Sequence, residues 1–433
     1  MIQDRSAAPA MTKLREQAIA LFRQGIAASD PERAVASALE GRRDDIAAAK
    51  RVILVAFGKA ACPMMRAALP FVSDKLHLAC AVTNRENLAP IAGVDVIAGG
   101  HPLPDEGSIA GAYALERAAR AAEPGDLVLV LVSGGGSALI CAPVPGVSLA
   151  DKIALNDALI RSGAEISEIN AVRQQFSRLK GGRLAQLASS AKVLSLILSD
   201  VPGDDVGTIA SGPTAKPSAS ATDALEIIDR YGLRETLPAA LRTHVDHLLE
   251  RDEPMRFDHV ENMVIGSNSI SLHQVMASAE ASYPVVVKAD DWLSGDVSDV
   301  AETLHRMAIF AASQRGPVAI VAGGEPTVRV AGTGIGGRNQ ELALRFALLN
   351  EWAAIKRPWV FLSGGTDGRD GPTDAAGGIV DPSSTSWMRK VGCNPVALLE
   401  NNDSYHALES SGDLLITGAT GTNVADLQIL LMQ

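Results

Sequence analysis

The chain has 433 residues, a formal net charge of −11, and 47% hydrophobic against 21% charged residues. That length exceeds what one hydrophobic core usually organises, so two domains are expected, with a single barrel as the alternative. The acidic balance argues against nonspecific nucleic-acid binding, which rests on many Lys and Arg contacts to phosphates, and no apolar stretch approaches the ~20 residues of a membrane helix.

From the N-terminus, Thr12 to Ala28 and Pro31 to Leu39 carry helical spacing of Ala, Leu and Ile, and Arg51 to Phe57 reads as a strand ending at Gly58-Lys59. Strand-like runs at Leu78 to Thr83, Asp95 to Ala98, Leu127 to Val132 and Val193 to Leu198 then alternate with helical runs at Ala60 to Leu69, Ser108 to Ala122, Leu149 to Arg161 and Asn170 to Ala188. Such alternation is the pattern of parallel α/β architecture. The charged, proline-containing segment Leu249 to Asp258 marks a domain boundary, giving residues 1–255 as an N-terminal, Rossmann-like α/β domain and 256–433 as a second. The second series starts with Met263 to Asn268, continues through a helix to about Ser282, and has strands at Pro284 to Val287, Val318 to Val321 and Trp359 to Leu362. The expected fold is two α/β lobes with mainly parallel sheets flanked by helices.

Six apolar residues from Leu127 to Val132 break abruptly into Ser133-Gly134-Gly135-Gly136-Ser137. A strand buried on both faces looks continuously apolar, and a helix starting near Ala138 would offer backbone N–H groups without intrahelical partners. Those donors suit a phosphate or carboxylate. A second apolar strand ends in Ser363-Gly364-Gly365, followed by Asp367 and Asp370. Lys59 lies just past a strand's carboxyl end, where ligands bind in open parallel sheets. Arg338, after a glycine-rich loop and before Asn339-Gln340-Glu341, has a fork able to hold a carboxylate or phosphate, or to brace its loop. The stretch from Asn170 places four cations, Arg173, Arg178, Lys180 and Arg183, along one helical region beside glycines, which is either a charged helix face or a pattern that suits polyphosphate. Asp200 and Asp204 follow the strand Val193 to Leu198 and, like Asp367, are candidate magnesium ligands.

Other patterns count against alternatives. Gly58-Lys59 lacks the preceding glycine of a Walker loop, and Ala60 stands where Ser or Thr would bind magnesium. Gly332 to Gly337 satisfies GxGxxG, but the strands Val318 to Val321 and Thr327 to Val330 are too close for a crossover helix and suit a hairpin. The eight histidines form no HxxxH pair, and His101, in a Gly-Gly-His-Pro loop, reads as structural. Cys62, Cys80, Cys141 and Cys393 show no metal or disulfide spacing, so reduced thiols are expected. The charged N-terminal segment is unlike a secretory signal, and a cytoplasmic location follows.

Taken in order, Phe57-Gly58-Lys59-Ala60, Gly99-Gly100-His101-Pro102, Ser133 to Ala138, Asn170 with Arg173, Lys180 to Leu184, Ser199 to Asp204, Gly323-Gly324-Glu325-Pro326-Thr327, Gly336 to Glu341, Gly364 to Gly368 and Thr420 to Asp426 resemble the type II glycerate kinases, long labelled hydroxypyruvate reductases, whose C-terminal lobe is called the MOFRL domain. The resemblance implies ATP- and Mg2+-dependent phosphorylation of D-glycerate to 2-phosphoglycerate in a cleft between the lobes. It implies Lys59 and Arg338 as key cations; Asp200, Asp204 and Asp367 are candidates for magnesium or for orienting the hydroxyl, with Asp200 the expected catalytic carboxylate and Asp200 and Asp204 the expected metal ligands. Substrate or phosphate contacts would come from Ser133, Gly134, Gly135, Gly136, Ser137, Asn170, Arg173, Lys180, Glu325, Asn339 and Asp367. Partners would be D-glycerate and ATP, with no nucleic acid or membrane, and a homodimer is compatible. A reductase using NAD(P)H and a noncatalytic sugar-phosphate sensor are the alternatives.

Overall fold

The computed structural model describes residues 9–249 and 255–433 and forms two compact units, Pro31–Ile265 and a second that joins the segment ending at Asp30 to Gly266–Gln433. The unit boundary therefore lies past the expected one at residue 255, and the helix Pro9–Ala28 belongs with the C-terminal sheet. Its apolar stripe explains this. Leu14, Ala18, Leu21 and Phe22 are buried in one cluster with Leu272 and Val275 of the helix Asn268–Glu280 and with Val360, Leu362, Leu427 and Ile429.

In the first unit, β1 (Val52–Phe57), β2 (Leu76–Asn84), β3 (Asp95–Gly99), β4 (Leu127–Val132), β5 (Lys192–Leu198) and β6 (Val260–Gly266) form one sheet in the order β3-β2-β1-β4-β5-β6. The pairs β1–β2, β2–β3, β1–β4 and β4–β5 are parallel. Both faces are covered, as the continuous apolar runs require. Along β1, Val52, Leu54 and Ala56 face a core shared with Met64 and Met65 of the helix Ala61–Val72. Ile53, Val55 and Phe57 face a second core shared with Ala112 and Leu115 of the helix Glu106–Arg120. The segment Met263 to Asn268, expected to open the second lobe, instead ends β6 at the edge of this sheet, which extends β5.

A third cluster in this unit is built mainly from helices. Leu155 and Leu159 of the helix Leu149–Arg161 pack with Val172 of Ile166–Gln175, Ile228 of Ala221–Arg230 and Leu241 of Ala239–Asp246. Ser148 starts the first of these helices with a capping box: its hydroxyl accepts from the Asp151 amide at 3.1 Å while Asp151 accepts from the Ser148 amide at 2.9 Å. The helical run expected over Asn170 to Ala188 is broken. Helices Ile166–Gln175 and Arg183–Leu187 flank a loop in which Gly181 and Gly182 take φ of 57° and 79°.

In the second unit, β7 (Val285–Lys288), β8 (Val318–Gly324), β9 (Trp359–Gly365), β10 (Gly377–Val380), β11 (Leu414–Leu415) and β12 (Asp426–Met432) lie in the order β11-β10-β9-β12-β8-β7. This sheet is mixed, contrary to the expectation of mainly parallel strands. β7 pairs parallel with β8, whereas β8–β12, β12–β9, β9–β10 and β10–β11 are antiparallel. Two of these antiparallel pairs come from the C-terminal strand β12, which the sequence reading did not anticipate and which inserts between β8 and β9. The expected hairpin is also absent: β8 runs on to Gly324, and residues 327–330 are irregular apart from a bridge from Thr327 to Asp296. One face buries Phe346, stacked on Phe361 at 4.3 Å and edge-on to Trp359 at 5.3 Å.

Arg15, on the first helix, donates to Asp381 and Asp413 at 2.8 Å each and to the Ile379 carbonyl at 2.9 Å. Both carboxylates are buried, at 1% and 0% exposure. Removing one partner of such a cluster leaves uncompensated buried charge, so Arg15→Ala is expected to cost about 3 kcal/mol in urea denaturation of this unit. A change below about 0.5 kcal/mol would show that the helix is only loosely attached.

Candidate active site

The sheet order of the first unit reverses between β1 and β4, since the chain runs outward to β2 and β3 and returns on the other side of β1. Loops leaving the carboxyl ends of strands on either side of such a reversal diverge and leave a crevice. Phe57 pairs with Val132, so Gly58-Lys59 and Ser133-Gly134 emerge side by side. The Lys59 amide donates to the Gly134 carbonyl at 2.9 Å, and the Ala60 amide donates to Ser133 Oγ at 3.0 Å. Gly58 has φ of +117°, and a Cβ there would meet the Ser133 carbonyl oxygen at 2.4 Å. A Cβ on Gly134 would meet Asp200 Oδ2 at 2.2 Å, which places the Asp200 carboxylate, at the end of β5, directly over the loop.

Among the described residues, the amides of Gly134, Gly135, Gly136 and Ser137 donate to no backbone carbonyl. The helix expected from Ala138 is a single turn, Gly136–Leu139, so its dipole adds little and the four open amides carry the anion affinity.

Beside this crevice is a cavity of about 200 Å³ lined by His101, Gly135, Ser137, Cys141, Lys152, Asn156, Arg173 and Lys180, with an apolar wall from Pro102, Leu103, Pro104, Ala138 and Ile153. Three cations converge here. Lys152 and Lys180 are 8% and 5% exposed, and no carboxylate among the described residues pairs with either lysine or with Arg173. Lys180 donates to Ser137 Oγ at 2.7 Å, Lys152 to the Arg173 carbonyl at 3.4 Å, and Arg173 to Asn156 Oδ1. Burial, with the neighbouring cations, pushes the Lys152 ammonium down to about 8 and the Lys180 ammonium well below its ordinary value, and burial also lowers Arg173. His101 is held below the ordinary imidazole value by burial and then by Lys59.

The sequence-predicted residues Lys59, Ser133, Gly134, Gly135, Gly136, Ser137, Arg173, Lys180 and Asp200 thus surround one crevice and its adjoining cavity. Asn170 is not in the cavity wall; its Oδ1 accepts from Ser211 Oγ at 3.3 Å, and Ser211 lies 3.1 Å from Ser137 Oγ, so Asn170 braces the wall from behind. Ser211 and Ala210 hold positive φ, 62° and 51°, a strained pair on non-glycine residues next to the site. Asp204, with φ of 55°, sits on the turn Pro202–Asp204. The sequence reading missed Lys152, Asn156 and Cys141 and took His101 as structural. Lys152 and Asn156 are spaced i, i+4 on a helix whose apolar residues were the visible signal.

In the second unit the predicted residues bond to other groups of the protein. Arg338 donates through Nε and Nη2 to Asp426 at 2.6 and 3.0 Å and through Nη1 to Glu325 at 2.8 Å, so its fork already holds two of the protein's own carboxylates. Burial opposes the guanidinium charge, but Asp426 and Glu325 raise its pKa above the ordinary value. Asp426 is 1% exposed, and burial raises its pKa against the pull of Arg338. Asn339 is also 1% exposed and is consumed internally: its amide donates to Asp370 at 3.1 Å, and its Oδ1 accepts from Ser363 at 2.6 Å. Asp370 caps the helix Arg338–Trp352, and burial lifts it to about 6. Asp367 accepts from the Arg369 amide at 2.9 Å in a local turn.

The GxGxxG loop is similarly occupied. The amides of Ala331 and Gly332 donate to Asn402 Oδ1, those of Thr333 and Ile335 to Asn401 and Asp403, and that of Gly334 to the Asn401 carbonyl. Donors committed in this way are not free for a pyrophosphate.

Residues 17–246 match the model of a domain of unknown function, and residues 318–426 match the MOFRL family. The chain is similar to D-glycerate 2-kinase of Thermotoga maritima, 39% identical with 97% of this chain and 98% of the relative aligned. A protein of Agrobacterium vitis named a putative hydroxypyruvate reductase is 40% identical, with coverage of 88% and 99%. The crystal structure of a glycerate kinase from Thermotoga maritima superposes with a TM-score of 0.89 at 38% identity, covering 98% of this chain and all of that one.

Arg338→Ala is expected to cost about 3 kcal/mol in denaturant melts, because it strands the buried Asp426 carboxylate. Adding Asp426→Asn should recover most of that loss. An Arg338→Ala protein as stable as the parent would show that Arg338 does not brace this unit.

Proposed function

The chain belongs to the glycerate kinase family with a C-terminal MOFRL domain, and from that premise we propose that it transfers the γ-phosphoryl group of ATP to the 2-hydroxyl of D-glycerate, giving 2-phosphoglycerate and ADP. The observation that carries this reading is the set of four uncommitted amides at Gly134 to Ser137, flanked by Lys59 and Asp200 at the reversal point of the parallel sheet. Phosphoryl transfer needs positioning and charge stabilisation more than covalent help from the protein, and this crevice offers both.

In this reading the amides of Gly134 to Ser137 cradle the phosphate chain, and Lys59 neutralises charge that builds on the transferring group. Among the described residues no group of three or more His, Cys, Asp and Glu side chains is disposed to hold a metal by itself. Magnesium in kinases commonly takes one or two carboxylates plus phosphate oxygens, so Asp200, with Asp204 as the second candidate, fits that donor set. Bound there, Mg2+ would shield the charge of the phosphates. Arg338 enters as a residue that orders its own unit through Asp426 and Glu325. The reductase reading is disfavoured by the committed amides of Gly332 to Ile335. The reading includes a cytoplasmic location and a homodimer. All four cysteines are free thiols, which agrees with a reducing compartment, and no described helix is long and apolar enough to cross a membrane.

The test is ADP release from Mg-ATP and D-glycerate, with product detected by enolase alone or by phosphoglycerate mutase with enolase. Signal with enolase alone is expected; signal that requires the mutase would move the transfer to the 3-hydroxyl, and none in either format would overturn the reading. Lys59→Ala should lower kcat/KM by at least ~100-fold, as expected for loss of a charge that acts on the transition state, with thermal unfolding unchanged.

A further inference from the structure

The cavity beside the crevice holds three cations, and among the described residues no carboxylate pairs with any of them. Lysines are almost never fully buried unless paired, and an unpaired buried ammonium lowers stability. A structural cation would have a carboxylate beside it, as Arg338 has Asp426 and Arg15 has Asp381. Among the described residues Lys152, Arg173 and Lys180 meet only neutral partners: a carbonyl and the Phe176 ring, an amide oxygen, and a hydroxyl. The missing charge is that of a ligand. A space of about 200 Å³ accommodates a molecule of a few carbons. Its wall is divided, with cations and Ser137 on one side and Leu103, Pro102, Pro104 and Ile153 on the other, which fits an acid with a short carbon skeleton.

We propose that this cavity is the subsite for the acceptor acid, with Lys152 and Arg173 on its carboxylate, Lys180 and Ser137 beside its hydroxyl, and the amides of Gly134 to Ser137 left to the phosphate donor. The inference rests on the kinase reading for the identity of the acid.

The charge balance has a further consequence. The groups that face Lys152 are Arg173 from the helix Ile166–Gln175, Lys180 from the loop that follows, Arg183 from the helix Arg183–Leu187 and Cys141 after β4. His101 lines the opposite wall. With like charges on most sides, burial holds the Lys152 ammonium down to about 8, and a carboxylate placed beside it would favour its protonated form. The acid therefore binds with proton uptake, and its affinity falls as pH rises above about 8.

The test is calorimetric titration of D-glycerate into nucleotide-free protein at pH 7 and pH 9, in two buffers of different ionisation enthalpy, alongside a Mg-ATP titration. Lys152→Met and Arg173→Met are compared with the parent. Glycerate affinity of the parent is expected to drop about tenfold between pH 7 and 9, with a buffer-dependent enthalpy that reports proton uptake. Each variant should weaken glycerate by about 30-fold, the loss of a charge-assisted contact, while Mg-ATP affinity stays within about twofold. The nucleotide-free Lys152→Met protein should melt no lower than the parent, a result that a structural lysine would not give. Unchanged glycerate affinity in both variants, no glycerate binding by the parent, or an equal loss for Mg-ATP would overturn the assignment. Glycerate binding that depends on Lys152, without glycerate-dependent ADP release, would instead defeat the kinase reading and leave the acid subsite standing.

Discussion

The candidate active site depends on the parallel pairing of β1 with β4. Because Phe57 and Val132 are level, two loops that are far apart in sequence leave the sheet at one height, and the reversal of strand order keeps both uncovered. The glycines then follow from contact rather than from flexibility alone. Gly58 must admit the Ser133 carbonyl, and Gly134 must admit the Asp200 carboxylate. Neither contact leaves room for a Cβ. The apolar strands beneath, fixed between two cores, supply the rigidity that catalytic positioning requires.

The two units treat buried charge in opposite ways. Around Arg338 the protein closes its own account: Asp426 and Glu325 answer the guanidinium, and Asn339, Asp370 and Ser363 satisfy one another. Around Lys152, Arg173 and Lys180 the balance is left open at a cost in stability. Groups in strained or uncompensated environments concentrate at functional sites, and the positive φ angles of Ala210 and Ser211 belong to the same region. The proposal that the first cluster binds a ligand while the second braces its sheet rests on this contrast.

Much of this was legible in the chain. Continuous apolar runs marked β1, β4 and β5, and glycines at their ends marked the crevice, because a parallel strand buried on both faces cannot hide its composition. Residues whose meaning depends on what packs against them were less visible. Arg338, Asn339 and Glu325 looked ready for a ligand, yet β12, a strand the sequence reading did not anticipate, brings Asp426 to the guanidinium. Lys152 looked like an ordinary charge on a helix; it becomes unusual only because the helices carrying Val172, Ile228 and Leu241 bury that face. The mixed order of the second sheet was likewise hidden, since local patterns do not say which strand the C-terminal segment will pair with.

The most direct measurement is a crystal structure of the protein with D-glycerate and a non-hydrolysable ATP analogue. The account predicts phosphate oxygens on the amides of Gly134 to Ser137, with a carboxylate within hydrogen-bond distance of Lys152 and Arg173. Ligand density elsewhere, with those amides and cations untouched, would contradict it.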